Sequence, residues 1–113
     1  MGPYSAACVV GNLVYTSGYT GRNPVTNITP EGIEAQAHQV MANLRSALEA
    51  AGASLKNVFK CTVYLKDMED FAAFNKVYGE YFDEESYPAR TCVQVSRLPS
   101  GSALVEVEAI AEL

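Results

Sequence analysis

The last strand-like segment of the chain, residues 103–112, constrains the fold most, because its two faces differ. Side chains alternate along a strand, so one face is small and apolar while the other mixes acids with large apolar residues. The mixed face consists of Leu104, Glu106, Glu108, Ile110 and Glu112. Two interpretations remain open. This face is either solvated, or partly buried against another subunit, where its carboxylates would need cationic partners.

The rest of the chain alternates between strand and helix patterns in the order ββαβαββ. This order predicts one α+β domain over residues 1–113, with two helices packed on one sheet in two layers. Gly11-Asn12 separates the first two strands as a tight turn. We expect strands at 4–10, 13–17, 57–65, 89–96 and 103–112, a loop at 18–29, and helices at 29–52 and after 67.

The two helices have clear signals at their ends and on their faces. Thr29-Pro30-Glu31 is a typical helix start, and Gly52 is a typical C-terminal glycine, which gives a first helix of about six turns. Asp67 is the expected cap of the second helix. The apolar stripe of that helix is interpreted as core, with Asn75 outside it. The stripe consists of Phe71, Phe74, Val77, Tyr78, Tyr81 and Phe82.

The strand at 57–65 alternates as well, and one of its faces is expected to be buried. Phe59, Cys61, Val63 and Leu65 form that face. The three cysteines, at positions 8, 61 and 92, fall in apolar strand patterns without metal-ligand spacing. We therefore expect reduced, buried thiols in a cytoplasmic compartment, and no metal site.

Charge and hydropathy exclude several classes of function. The net charge is −5, with thirteen acidic residues against eight basic ones, so a nucleic-acid-binding role is not expected. No run of 18 apolar residues occurs, and the first five residues lack a secretory signal, so membrane insertion and secretion are not expected either. The single histidine, His38, is interpreted as a surface or boundary residue of the first helix.

Arg90 and the acidic pair are the candidate chemical groups. Arg90 follows Pro88-Ala89 at a strand start, and its planar guanidinium suits bidentate capture of a carboxylate; it could equally be a surface arginine. Glu106 and Glu108 could hold and activate a water molecule. Ser17-Gly18 could present a hydroxyl and a backbone N–H to a ligand. Cys92 lacks an evident histidine or helix terminus that would make it a nucleophile.

Several motifs together resemble the RidA family of reactive-intermediate deaminases, the YjgF-type proteins. The resemblance extends nearly from end to end, and its most specific parts are Y-P-A-R-T-C-V-Q-V at 87–95 and L-V-E-V-E-A-I-A at 104–111. The other matching motifs are G-P-Y-S at 2–5, T-S-G at 16–18, A-A-G at 50–52, K-x-T-V-Y-L-K-D at 60–67 and F-x-x-x-N-x-x-Y at 71–78.

The resemblance implies a fold, an assembly and an activity. The fold is a two-layer, chorismate-mutase-like (bacillary type) domain with a mixed sheet and two helices on one face, assembled as a homotrimer with clefts between subunits. The activity is hydrolysis of 2-imino acids, such as 2-iminopropanoate and 2-iminobutanoate, to 2-oxo acids and ammonia without a cofactor. Arg90 would bind the substrate carboxylate, Glu106 would orient water, and Cys92 would line the cleft.

Four further positions match residues that the family contributes across the subunit interface: Tyr4, Ser17, Gly18 and Asn75. Two departures affect these expectations. Family members carry about a dozen residues before G-P-Y, enough for a strand and a loop, and they usually have glutamine and an apolar residue where this chain has Tyr19-Thr20-Gly21. The first departure leaves the sheet edge open, and the second leaves the substrate range open.

Two alternative functions remain, and both would use the same residues. A small-carboxylate-binding protein without turnover would use the same arginine pocket. Endoribonuclease activity is reported for some relatives, but the acidic charge of this chain argues against it. The expected location is the cytoplasm or an organelle matrix.

Overall fold

The computed structural model describes residues 2–113, and over this range the chain forms one mixed sheet covered on one face by two helices. In chain order the elements are β1 (Ala7–Val10), β2 (Leu13–Thr16), β3 (Tyr19–Thr20), α1 (Ile33–Ala50), β4 (Val58–Leu65), α2 (Phe71–Gly79), β5 (Ala89–Gln94) and β6 (Val105–Glu112). The predicted order is confirmed with one addition, because the short strand β3 lies within the segment that was expected to be a loop.

Strand β6 lies in the middle of the sheet. The strand order is β1-β2-β6-β4-β5, and β3 pairs with β6 at the end of β2. All pairs are antiparallel except β4–β5, which is parallel, so the sheet is mixed, as expected. The tight turn at Gly11-Asn12 joins β1 to β2, and Gly11 has a φ of 61°, a conformation that glycine adopts at little cost.

The core lies between the helices and one face of the sheet. Helix α1 contributes its apolar stripe, and β4 and β6 contribute every second side chain. The largest fully buried side chains are Phe74, Met41, Leu44, Leu48, Leu65, Val14, Val40, Val63, Val105, Val107 and Cys61. Within residues 2–113, neither helix is both long enough and apolar enough to cross a membrane.

Helix α1 begins later than expected, and the reason is tertiary. The predicted start at Thr29 is wrong: the helix begins at Ile33 and has 18 residues, about five turns rather than six. The buried Gln36 side chain donates to the carbonyl oxygens of Pro30 and Ser102 and accepts from the Leu104 amide. These bonds hold the segment before the helix against the start of β6, so its residues do not continue the helix.

The buried face of β4 also differs from the prediction at one position. Phe59 was expected in the core but is 47% exposed, and Val58 is buried instead. The pairing of β4 with β6 shifts register between Val58 and Lys60. An irregularity of this kind reverses the alternation locally, so Cys61, Val63 and Leu65 keep the predicted inward direction while Phe59 turns outward.

Helix α1 ends at Ala50, and Gly52, the predicted terminating glycine, follows its C-cap Ala51 in a Schellman arrangement. Gly52 has a φ of 90°, its amide bonds to the Glu49 carbonyl, and the next amide, of Ala53, bonds to the Leu48 carbonyl. Both bonds satisfy carbonyls at the helix end, and they require a left-handed residue at this position.

Gly52→Ala should therefore lower the free energy of unfolding by about 1 kcal/mol, because a Cβ disfavours positive φ. The nearest atom to a Cβ at this position lies 3.9 Å away, so crowding adds little. Gly101→Ala is the matched control: nothing lies within 4 Å of its Cβ position. Urea denaturation measures both variants. Equal midpoints for the two would contradict the role of the left-handed end.

Candidate functional site

The candidate residues lie on opposite faces of the sheet. Arg90 in β5 is the register partner of Cys61 in β4, which is buried under the helices. Glu106 in β6 is the partner of Tyr64, whose side chain points to the other, open face because neighbouring residues alternate. A single chain therefore does not bring Arg90 and Glu106 together. It holds an arginine group beside helix α2 and a carboxylate group on the open face.

The arginine group is built on one face of α2. Phe71, Phe74, Asn75 and Tyr78 follow the spacing i, i+3, i+4, i+7, which places them on the same side of a helix. The Arg90 guanidinium carbon lies 4.7 Å from the centre of the Tyr78 ring, 5.6 Å from that of Phe71 and 6.0 Å from that of Phe74. Its Nη2 donates to Asn75 Oδ1 at 2.6 Å. The expectation that Asn75 lies outside the stripe is wrong.

These contacts hold Arg90 in one orientation. A cation over an aromatic face is attracted by the quadrupole of the ring, and the amide acceptor fixes the guanidinium plane. One of five N–H groups is used by Asn75, so the others remain for a ligand. Arg90 is half-buried, which makes it more than an unconstrained surface cation.

Cys92 lies two residues beyond Arg90 on the same face of β5. Burial raises the pKa of its thiol, and the nearby Arg90 charge partly opposes that shift. A raised pKa keeps the thiol protonated and a poor nucleophile near neutral pH. The expectation that all three thiols are buried is wrong, since only Cys61 is buried, whereas Cys92 is half-buried and Cys8 is exposed. The Cys8 side chain is exposed because its register partner is Tyr15, whose own partner is Ile110, and this places Cys8 on the open face of the edge strand β1.

The carboxylate group consists of Glu106 and Glu108 on the open face of β6, both half-buried. Burial raises the pKa of Glu106, and the adjacent Glu108 charge raises it further. Glu108 accepts a hydrogen bond of 2.6 Å from the Tyr64 hydroxyl. Gly18 lies directly against Glu106, because a Cβ at position 18 would collide with the Glu106 carboxylate. A larger residue there would displace the carboxylate.

The N-terminal segment lies beside this second group. The Ser17 amide donates to the Ala6 carbonyl and the Ser17 hydroxyl donates to the Ser5 carbonyl. The Ser17 hydroxyl is therefore occupied as a donor rather than directed at open solvent. The Tyr19 hydroxyl also donates to Ala6. These bonds hold Ser5 and Ala6 against Ser17 and Tyr19, and the exposed Tyr4 precedes them in the chain.

The structure thus divides the expected site residues into two sets. Gly18 lies against Glu106 and is preceded by Ser17, which bonds to the segment that follows Tyr4. Cys92 and Asn75 lie with Arg90. The resemblance grouped Asn75 with the first set as a residue contributed across the subunit interface, whereas within one chain its side chain bonds to Arg90.

Sequence reasoning missed four aromatic residues: Tyr64, Phe71, Phe74 and Tyr78. The last three were assigned to the core alone, although their spacing with Asn75 could have indicated a shared partner. Tyr64 could have been found only from its pairing with β6, since the sequence does not give the register. His38 lies at the expected boundary position, where its ring bonds to the Tyr81 hydroxyl between the helices.

Two shallow concavities lie on the surface of the single chain, and one of them borders the acidic pair at Glu108. This concavity, of about 270 Å³ on the open face, is lined by Tyr15, Lys60, Thr62, Glu108 and Ile110, among others. A larger one, of about 480 Å³, lies at Lys56–Phe59 and Ser86–Pro88 and contains none of the candidate side chains. Within residues 2–113, no group of three histidine, cysteine or acidic side chains is arranged to hold a metal ion.

Known proteins resemble this chain over its whole length. A family model described as endoribonuclease L-PSP matches residues 1–113. A RutC family protein of Pyrococcus horikoshii is 52% identical over 98% of this chain and 87% of its own length. A 2-iminobutanoate/2-iminopropanoate deaminase of Escherichia coli is 42% identical over 98% of this chain and 88% of its own.

A solved structure supports the fold. The crystal structure of E. coli TdcF with bound serine has a TM-score of 0.94 and 40% identity, and the match covers 100% of this chain and 90% of that one. The expected chorismate-mutase-like α+β fold is therefore confirmed.

Asn75→Ala should lower the free energy of unfolding by about 1 kcal/mol. It removes the acceptor of a charge-assisted hydrogen bond, and partial exposure reduces the effect of that loss. Lys76→Ala changes the exposed neighbour on the same helix and should stay within about 0.5 kcal/mol of the parent. Thermal or urea unfolding compares the two. A larger effect at position 76 would mean that the Asn75–Arg90 bond does not stabilise the fold.

Proposed function

The chain belongs to the RidA family, and from this premise we propose that it hydrolyses small 2-imino acids, such as 2-iminopropanoate and 2-iminobutanoate, to 2-oxo acids and ammonia. The main support is the preorganised Arg90, whose guanidinium is fixed by Asn75 and stacked on Tyr78. A planar fork held in place suits bidentate binding of a carboxylate. The E. coli TdcF structure holds serine, which is a ligand with such a carboxylate.

The proposal includes a homotrimer, because one chain separates the two groups that the reaction needs. Arg90 lies at the edge of the sheet, on the helix side, and Glu106 lies on the open face. A neighbouring copy packed on the open face could bring its own Arg90 to this Glu106. The apolar residues of that face support packing of this kind: Val10 and Tyr15 are exposed and Leu104 and Ile110 half-buried.

In the proposed reaction, the substrate carboxylate binds Arg90 and its imine carbon faces Glu106 across the interface. Glu106 accepts a proton from water as the water oxygen forms a bond to the imine carbon, and it passes this proton to the imine nitrogen, which gives the neutral carbinolamine. Glu106 then accepts the proton of the carbinolamine hydroxyl and transfers it to the amine nitrogen as the C–N bond breaks. The C=O bond of the 2-oxo acid forms, and ammonia leaves with the electron pair of the C–N bond. The raised pKa of Glu106 makes it a stronger base than an ordinary glutamate.

Two other functions would be recognised by different outcomes. A binding protein without turnover would saturate with a 2-oxo acid but would not speed the loss of imine. Ribonuclease activity, which the family description names, would require RNA to approach a chain of net charge −5. An assay that couples an amino-acid oxidase to imine hydrolysis tests the proposed activity directly. Turnover supports the proposal, and binding without turnover would refute it.

Light scattering should give about three times the chain mass of 12.2 kDa. Ile110→Glu, on the open face, should shift the protein towards monomer and abolish turnover, because a charge there is not compatible with a packed interface. Val25→Glu is the control, since Val25 is 88% exposed in a loop, and it should leave the mass unchanged. A monomeric parent that still hydrolyses imines would refute the shared site.

Arg90→Lys should reduce kcat/KM for 2-iminopropanoate about tenfold or more. Lysine keeps the charge but loses the planar fork, and one lost charge-assisted bond of roughly 1.5–3 kcal/mol corresponds to at least that factor. Arg97→Lys, an exposed arginine after the same strand, is the matched control and should remain near the parent. A folded, trimeric Arg90→Lys variant with full activity would exclude bidentate capture.

A further inference from the structure

Tyr64 forms an asymmetric contact with the acidic pair. Its Cα is the register partner of Glu106 across the β4–β6 ladder. Its hydroxyl nevertheless donates diagonally, to Glu108 Oε1 at 2.6 Å. A distance this short is typical of an O–H donor on an ionised carboxylate. Tyr64 therefore lies beside one glutamate and bonds to the other.

The two carboxylates differ in what surrounds them. Glu108 accepts a hydrogen bond from the Tyr64 hydroxyl, whereas Tyr64 makes no such bond to Glu106, its own register partner. Glu106 instead lies against the backbone of Gly18, in a half-buried position. Both side chains project from the same face of one strand, two residues and roughly 7 Å apart along the backbone. At such a separation the charge of one acid affects the protonation of the other.

We propose that Tyr64 is a positioning residue: its hydroxyl fixes Glu108 as a charged neighbour and so leaves Glu106 as the member of the pair that takes up and returns the proton. This inference rests on the proposed deaminase function, and it concerns a residue within the K-x-T-V-Y-L-K-D motif to which the resemblance assigns no role in the site. Tyr64 does not contact the reacting atoms in this scheme. It acts through Glu108.

The electrostatics of the group agree with this role. The hydrogen bond to Glu108, burial and the charges of Glu108 and Glu106 raise the pKa of Tyr64 to about 12, so the phenol remains a donor throughout the neutral range. Burial and the Glu108 charge raise the pKa of Glu106. A Glu108 carboxylate that Tyr64 holds beside Glu106 therefore strengthens Glu106 as a base. A Glu108 side chain that is free to move could instead share one proton with Glu106.

Other groups near Glu106 have separate partners or no charge. Thr20, its partner in β3, is uncharged. Lys60 lies further along β4 and donates to Thr91, and Tyr15 lies on β2 opposite Ile110. In the proposed trimer, Arg90 of the partner subunit would also face Glu106. Along the β4–β6 ladder, Glu108 and Tyr64 are thus the titratable groups nearest to Glu106.

Tyr64→Phe tests the inference, because it keeps the ring and removes only the hydroxyl. We expect kcat for 2-iminopropanoate to fall about fivefold, a fraction of the usual contribution of a general base, while KM stays within about twofold, because Arg90 binds the substrate. Glu108→Gln provides the second background. There, adding Tyr64→Phe should change kcat by less than about twofold, because the charge that Tyr64 fixes is already absent.

The pH dependence of kcat/KM gives a second test, because the inference predicts the direction in which the pKa of Glu106 moves. Glu108 disfavours ionisation of Glu106, so Glu108→Gln should lower the pKa of Glu106 and move the acid limb of kcat/KM to lower pH. In Tyr64→Phe, carbon-13 NMR of the Glu106 carboxyl, assigned with Glu106→Gln, should show two titration steps in place of one main step, as expected when two acids share a proton. Circular dichroism and light scattering verify that each variant is folded and assembled.

Three results would overturn the inference. Tyr64→Phe could match the parent in both kcat and Glu106 titration, it could lower kcat equally in the Glu108→Gln background, or it could raise KM alone. The NMR titration does not depend on turnover. If the parent does not hydrolyse imines, the proposed function fails by itself, and the titration still decides whether Tyr64 assigns the proton within the pair.

Discussion

The alternation of β6 is the constraint on which the rest of the structure depends. This strand pairs with β2, β3 and β4, so its inward side chains form the centre of the core and its outward side chains form the centre of the open face. Val105 and Val107 are completely buried while Glu106 and Glu108 lie on the other side. A slip of one residue would exchange these sets, placing carboxylates under the helices. The same register that forms the core therefore also positions the acids.

Much of this was predictable from sequence because alternation is a local property. The two faces of β6, the hairpin at Gly11 and the glycine end of α1 follow from residue types and spacing alone. The start of α1 was not predictable, because Gln36 bonds to Pro30 and to residues near 103 that are distant in sequence. The outward Phe59 depends on a register irregularity, and no sequence pattern encodes that.

The candidate site was predictable as a set of residues and not as an arrangement. Arg90 and Glu106 stand out by type and motif, but their opposite faces depend on how β4 pairs with β5 and β6. Asn75 was assigned to solvent because only apolar residues were counted in the stripe of α2. Its position four residues after Phe71 places it on the same face of the helix, where the Asn75 amide bonds to the Arg90 guanidinium instead of packing in the core.

The contacts of Arg90 explain how a small domain could hold an arginine side chain in place before a ligand binds. A free arginine side chain loses about 2 kcal/mol of rotamer freedom when it is immobilised. Here the rings of Phe71 and Tyr78 and the amide of Asn75 restrict Arg90 when the chain folds, so binding need not order it again. Imine hydrolysis needs mainly orientation and a proton acceptor. In the proposed homotrimer, a preorganised arginine on one copy and a basic glutamate on the next would supply both.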